Sequence, residues 1–284
     1  MLTCLKEFCA FFLLLVSACT AVAGTDLKPE ELIKRHLESV GTPTARAAAQ
    51  SHLVEGAATY KMLVGGSGQI RGKAVFVSQG RKLHLLLKIN TVEYRGEQFI
   101  CDGDSTSVAG TYSDKSRSDL GEFLRSQDVL LREGLLGGTL STAWPLLDEG
   151  SWKGRVSYEG IKKVEGRELH ALHYRPKKSS DLNVMLYFDP ETFRHVMTIY
   201  KVGIRAGVGL QGELSSVDRQ ETRYRIEERF SDFHNVDGLT MPSQYELRFT
   251  QELANGFTKS VEWDIAVSQI RNNVPLDPRN FEVK

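Results

Sequence analysis

The sequence predicts a mainly β (α+β) protein: one strongly curved antiparallel sheet of roughly a dozen strands, wrapped around an N-terminal helix and a mid-chain helical segment. Three observations carry this expectation. Apolar and polar residues alternate with period two through most of the chain after residue 50; two stretches, 27–40 and 118–147, switch to helical spacing; and short connections rich in Gly, Asn and Asp separate the alternating runs. Helices and sheet each carry an apolar face, and a sheet that curves around the helices buries both in a single domain. The 36 basic residues balance 36 acidic ones, so no general electrostatic pull favours a nucleic acid, and none is expected as partner. Three of the four cysteines, Cys4, Cys9 and Cys19, fall within the first nineteen residues. That leaves too few in the body for a disulfide framework.

In chain order, residues 8–18 (FCAFFLLLVSA) form an apolar run behind Lys6, the h-region pattern of a secretory signal and short for a bilayer span. Ala21-Val22-Ala23 before Gly24 offers an A-x-A cleavage site, whereas Val16-Ser17-Ala18-Cys19 resembles a bacterial lipobox in which Cys19 is lipidated. A third reading keeps the segment as an uncleaved helical anchor. All three place the body, residues 24–284, outside the cytoplasm, with membrane association through Cys19 if it is acylated.

Residues 27–40 predict an amphipathic helix: Pro29 stands at its start, Glu30 and Glu31 in its first turn, Leu32, Ile33, His36, Leu37 and Val40 on one stripe, and Gly41 after it. A strand beginning near His52 comes next. Alternation marks Leu83, Leu85, Leu87 and Ile89, then Leu182, Val184, Leu186 and Phe188. It is clearest late in the chain, where Tyr224, Ile226 and Phe230, then Met241, Tyr245, Leu247 and Phe249, then Phe257, Val261, Trp263, Ile265 and Val267 alternate with polar residues. Asn235-Val236-Asp237-Gly238 predicts a hairpin turn. Between these β-regions, Leu120, Phe123, Leu124, Leu130, Leu131, Leu135, Leu136, Leu140, Trp144 and Leu147 have helical spacing, interrupted by Gly134, Gly137, Gly138 and Pro145. Two short helices with a flexible joint are expected there.

Chemical motifs are few. Gly207 to Gly212 formally match GxGxxG, but a charged β-segment comes after them where a dinucleotide site needs a helix start. His170 and His173 lie three apart on a strand, so they face opposite sides and do not share a metal. Asp102-Gly103-Asp104 reads as a tight turn, and Cys101 as a small buried thiol. Glu227 and Glu228 also point to opposite faces, and no G-x-S-x-G elbow, H-E-x-x-H or P-loop is present. Nothing in the sequence argues for an enzyme, a cofactor or a metal site.

Several phrases occur together in the C-terminal part: Leu186-Tyr187-Phe188-Asp189-Pro190-Glu191-Thr192, Phe230-Ser231-Asp232-Phe233, Val236-Asp237-Gly238-Leu239 with Met241-Pro242, and Asn273-Val274-Pro275-Leu276 with Phe281. With the opening helix and Gly41, they resemble the LolA/LolB-like family of bacterial outer-membrane lipoprotein-sorting proteins, in the broad sense that includes the sensor domain of the anti-sigma-factor regulator RseB. The resemblance implies an unclosed antiparallel β-barrel with a helical lid, about 118–147, over an apolar cavity. It implies a periplasmic or outer-membrane, lipid-anchored protein that binds acyl chains or lipid-modified proteins, or a sensor module on the same scaffold that meets an envelope protein partner. Residues suited to the cavity and lid are Phe123, Leu124, Leu131, Leu135, Trp144, Tyr224, Tyr245 and Trp263, with Gly134, Gly137 and Gly138 as hinges and Cys19 as the lipidation site.

Overall fold

The computed structural model describes residues 27–89, 91–92, 94–111, 118–177, 181–205 and 221–283. The expected signal segment 1–23, with Cys19, and the glycine-rich stretch 207–212 lie outside the described residues. Helix α1 spans Pro29–Val40. Proline at its first position removes one N–H that would otherwise lack a partner, and Glu30 and Glu31 complement the positive end of the helix dipole. Its buried stripe is Leu32, Ile33, His36 and Val40. Gly41 then makes a bridge to Leu239, and a Cβ there would lie 2.6 Å from the Gly238 carbonyl oxygen, so only glycine permits the approach. A second helix, α2 (Pro43–Ala48), stands where no helix is expected from the sequence; the Thr42 hydroxyl caps it by accepting from the Ala45 N–H at 3.1 Å.

The sheet contains twelve strands: β1 (Ser51–Val64), β2 (Gln69–Gln79), β3 (Lys82–Lys88), β4 (Glu97–Cys101), β5 (Thr106–Gly110), β6 (Val156–Val164), β7 (Arg167–Tyr174), β8 (Asn183–Phe188), β9 (His195–Arg205), β10 (Glu221–Val236), β11 (Leu239–Glu252) and β12 (Thr258–Asn272). They form one antiparallel sheet in the order β5-β4-β3-β2-β1-β12-β11-β10-β9-β8-β7-β6. The first and last strands pair at the middle, so two meanders join there and the sheet ends at two free edges, β5 and β6. The barrel is therefore unclosed, as expected. The turn between β10 and β11 is the expected hairpin: Val236 pairs with Leu239, and Asp237 and Gly238 both take the positive φ that such a turn requires.

Alternation places one face of every long strand inside. Val54, Ala58 and Tyr60 of β1, Leu83, Leu85 and Leu87 of β3, Tyr245, Leu247 and Phe249 of β11, and Val261, Trp263 and Ile265 of β12 belong to a single buried cluster. Phe257 departs from the expected pattern: it precedes β12 in the turn and is half exposed. The convex face of the central strands is a lattice of ion pairs in which Arg229 and Arg248 meet Glu227, Glu246 and Glu262, and Lys61 meets Glu262 and Asp264.

The chain leaves the sheet at one free edge after β5 and re-enters at the other with β6. The segment between them crosses the concave face. It contains α3 (Asp119–Ser126), α4 (Val129–Arg132), single 3-10 turns at Gly138–Leu140 and Pro145–Leu147, and α5 (Glu149–Trp152). The two expected helices are α3 and α4; glycines and Pro145 break the rest of the segment into turns. No described helix is long and apolar enough to cross a membrane.

Candidate functional site

The lid segment and the concave face it covers bring together most of the residues singled out in the sequence. Phe123 of α3 packs against Tyr224 and Phe249, with ring centroids 5.3 and 5.9 Å away. Trp144 stacks on His195 at 4.7 Å, His195 meets Phe230 at 4.8 Å, and Phe230 stacks on Tyr245 at 5.3 Å. Trp263 forms a third group with Tyr60 and Tyr94. Leu124, Leu131 and Leu135 are fully buried within the same cluster. Of these eight side chains only Tyr224 is partly accessible. It borders a groove of about 410 Å³, together with Val202, Lys201, Arg223, Thr250 and Glu252. A larger groove of about 540 Å³ lies on the convex side, under the 3-10 turn at Pro278–Phe281 and lined by His84 and Gln98, away from the lid.

Three carboxylates pin the lid. At its start, Glu97 accepts the Ser118 N–H and the Ser118 hydroxyl, both at 2.6 Å, and the Tyr94 hydroxyl at 3.3 Å. The Ser118 hydroxyl in turn caps α3 through the Gly121 N–H. Beyond α4, Glu133 accepts the Tyr174 hydroxyl and Arg155 Nη1, both at 2.7 Å, and the Lys177 N–H at 2.5 Å. The third, Glu228, lies at the centre of the concave face.

Glu228 occupies the inward row of β10 between Ile226 and Phe230 and has no exposed surface. Its Oε1 accepts the Gly137 N–H and the Tyr245 hydroxyl, both at 2.7 Å. Its Oε2 lies 2.6 Å from the Tyr200 hydroxyl, which itself reaches the Leu135 carbonyl at 2.7 Å. Tyr200 has one hydrogen and two acceptors in reach. With Glu228 ionised, one of those acceptors stays unsatisfied. With Glu228 protonated, its own O–H donates to Tyr200, Tyr200 donates to Leu135, and every group is paired. Burial acts in the same direction, pushing the Glu228 carboxyl up to about 7 against the pull of its three donors. In its protonated form, which predominates below about pH 7, the acid ties lid residues 135–137 to β9, β10 and β11.

The glycines expected to act as hinges have left-handed backbone in close-packed surroundings. Gly134 has φ of +63°, and a Cβ on it would lie 2.1 Å from the Ala143 carbonyl oxygen; Gly138 has φ of +49° and faces His195 and Phe230. His195 and His36 are fully buried, and burial holds His36 down at about 4 and His195 well below its ordinary value, so both imidazoles are neutral. Cys101 is a buried free thiol held above its ordinary value by burial. Asp102 Oδ1 accepts the N–H groups of Asp104 and Ser105, the tight turn expected there. His170 bonds Tyr158 and His173 lies beside Asn183, on opposite faces of β7. Among the described residues no three His, Cys, Asp or Glu side chains group to hold a metal ion.

Glu228 was open to discovery in the sequence only as a breach of alternation, an acid in an otherwise apolar row. Its partners Tyr200 and Tyr245 lie on other strands, and no local spacing announces them. Glu97 and Glu133 are likewise defined by contacts between distant segments.

No protein-family model matches the chain, and no curated protein matches it in sequence. Among solved structures the chain is similar to a LolA superfamily protein from Nitrosomonas europaea, at 12% identity over 90% of this chain and 97% of that one, with a TM-score of 0.44. It is also similar to a DUF1329 family protein from Desulfovibrio piger, at 13% identity over 89% and 96% of the two chains and a TM-score of 0.39. A third, a domain from Vibrio parahaemolyticus named for outer membrane lipoprotein sorting, is 10% identical over 88% and 97%, with a TM-score of 0.38.

Proposed function

We propose that the protein is a bacterial periplasmic or membrane-anchored carrier that holds an acyl chain, or the lipid-modified end of a protein, against the concave face of its sheet after the lid moves aside. The observation that carries this reading is the lid itself: one segment, joined to the sheet only through its two free edges, fills the concave face with apolar side chains and is fastened by three polar clamps. Chain entry would begin at the groove beside Tyr224, whose volume of about 410 Å³ is in the range of small-molecule sites.

The energetics suit reversible exchange. Burying an acyl chain of about fifteen methylenes is worth on the order of 12 kcal/mol. Removing Phe123, Leu124, Leu131, Leu135 and Trp144 from their packing costs on the order of 10 kcal/mol at about 2 kcal/mol per side chain. Cargo and lid compete for the same surface on nearly equal terms, so binding would be weak enough to reverse.

A second reading, an envelope sensor or interaction module without lipid transport, is favoured by the complete filling of the concave face by Trp144, Tyr245 and Trp263. A fluorescent fatty-acid probe separates the two. On the carrier reading the full chain binds the probe, and Trp144→Ala changes its affinity at least severalfold while leaving the protein folded. Absence of probe binding, together with absence of acyl species in native mass spectra of protein extracted from a bacterial envelope, would sink the carrier reading in favour of the second.

A further inference from the structure

Helix α2 buries no residue of its own, so packing does not account for it. What it contributes is Arg46, in its last turn. Arg46 reaches back to the end of α1, where Nη1 donates to the Leu37 carbonyl at 2.7 Å and to the Gly41 carbonyl. These bonds meet the negative end of the helix dipole and occupy one nitrogen of three. Nε and Nη2, the edge of the guanidinium that matches the two oxygens of a carboxylate, have no partner among the described residues. Burial holds Arg46 below its ordinary value, and the charge of Glu38 opposes this through space without forming an ion pair.

Arg46 forms one wall of a chamber of about 190 Å³ at the end of the barrel where Gly41 bridges Leu239. Strand β10 runs from Tyr224 to the turn before Leu239, so the chamber and the groove beside Tyr224 lie at opposite ends. Val40, Leu147, Leu239 and Met241 give the chamber apolar walls, and the lid adds Thr139. His52, at the start of β1, also lines it; the residue is 3% exposed, and its Nδ1 is enclosed with no hydrogen-bond partner. An enclosed polar atom without a partner costs free energy that a bound group can return. Burial holds His52 down at about 4, so the ring is neutral and can carry its hydrogen on Nδ1 as a donor. Asp237, in the adjoining turn, is engaged by Asn272 Nδ2 at 3.0 Å. Drug-sized ligands need at least about 300 Å³, so this chamber suits a small molecule or the end of a longer one.

We propose that this chamber binds a carboxylate carried on an apolar stem, its oxygens held by the Nε–Nη2 edge of Arg46 and by His52 Nδ1, its stem against Val40, Leu147, Leu239 and Met241. The donors match the two oxygens of a carboxylate. A phosphate would bring further charged oxygens against apolar walls with no donor left to meet them. Two sources share the proposed chemistry: a free short-chain acid, and the carboxyl end of a fatty acid whose chain runs on beneath the lid. The chamber is present with the lid in place, so the inference does not rest on lid movement or on the carrier reading.

The test is an NMR titration of the full chain at neutral pH with hexanoate, its neutral counterpart hexanamide, and inorganic phosphate. Hexanoate should bind at least roughly tenfold more tightly than either, because charge-assisted paired bonds to a guanidinium are about twice as strong as neutral ones. Its addition should shift the Arg46 Nε and His52 ring nitrogen signals. Arg46→Gln keeps a donor for the α1 carbonyls and loses the charge, so it should lower hexanoate affinity at least roughly tenfold and leave hexanamide affinity unchanged. A residue that only caps α1 would change neither. The ratio of hexanoate to hexanamide is read on the unaltered chain and decides the matter even where Arg46→Gln does not fold. Palmitate separates the two sources. Competition between palmitate and hexanoate that is lost in Arg46→Gln assigns the chamber to the end of a fatty acid; hexanoate binding that palmitate does not disturb assigns it to a short free acid, and a complete failure of palmitate to bind then counts against the carrier reading and not against the chamber. No hexanoate binding, equal affinity for hexanoate and hexanamide, or hexanoate affinity unchanged by Arg46→Gln overturns the proposal. Phosphate binding as tightly as hexanoate also overturns it, since Arg46 would then hold any anion.

Discussion

When protonated, Glu228 lets Tyr200 keep its hydrogen for the Leu135 carbonyl, so ionising that acid costs the folded state and not the unfolded one. The native carboxyl titrates at about 7 against 4.5 for the free group. Between those values the native state binds more protons than the unfolded chain, and stability falls as pH rises. At about 1.36 kcal/mol per unit, the loss is complete above pH 7 and amounts to about 3 kcal/mol. His36 and His52 act with the opposite sign. Burial holds each near 4 against 6.5, so the unfolded chain binds the extra protons and stability drops as pH falls from 6.5 toward 4. Glu228→Gln separates the effects: its amide donates to Tyr200 and its carbonyl accepts from Gly137 and Tyr245, reproducing the protonated pattern. Urea unfolding should show this variant gaining about 3 kcal/mol relative to wild type on going from pH 4.5 to pH 8. An unchanged difference across that range would mean that Glu228 is ionised in the core. An alternation pattern tolerates one acid in an inward row without revealing it, which is why this group is legible only once Tyr200 and Tyr245 are placed around it.

The lid depends on its clamps as much as on its apolar face. Glu133 accepts three donors from the β7 end and from Arg155, and its removal leaves them unpaired in a half-buried place. Glu133→Ala should cost about 2 kcal/mol of local stability, or roughly a 30-fold rise in amide exchange across 118–137, while the β1–β12 pair in the middle of the sheet stays protected. Equal acceleration in lid and sheet would show that the lid has no separate opening. At this scale the sequence is uneven in what it reveals. Helix α1 is legible because proline, first-turn acids and a buried stripe agree. Helix α2 has a clear start at Thr42-Pro43 but buries no residue, so no apolar periodicity marks it. The α3 and α4 spacing is legible, while the crossing of the lid from edge to edge results from pairing that no single segment encodes.

At the level of the whole molecule, the pairing of β1 with β12 sets the architecture, because it joins the first and last strands at the sheet's middle and leaves β5 and β6 as the edges between which the lid must cross. Alternation and short turns give the strand count and the curved sheet. They do not give strand order, and without it the clamps are not visible. Exchange between lid and cargo on the concave face is the central functional claim, and hydrogen–deuterium exchange of the full chain with and without a saturated sixteen-carbon fatty acid tests it most directly. Amides of 118–147 should exchange faster when the fatty acid is bound, while the inward-facing strands β10 to β12 remain protected. Binding that leaves the lid's exchange unchanged or slower, or no binding at all, would contradict it.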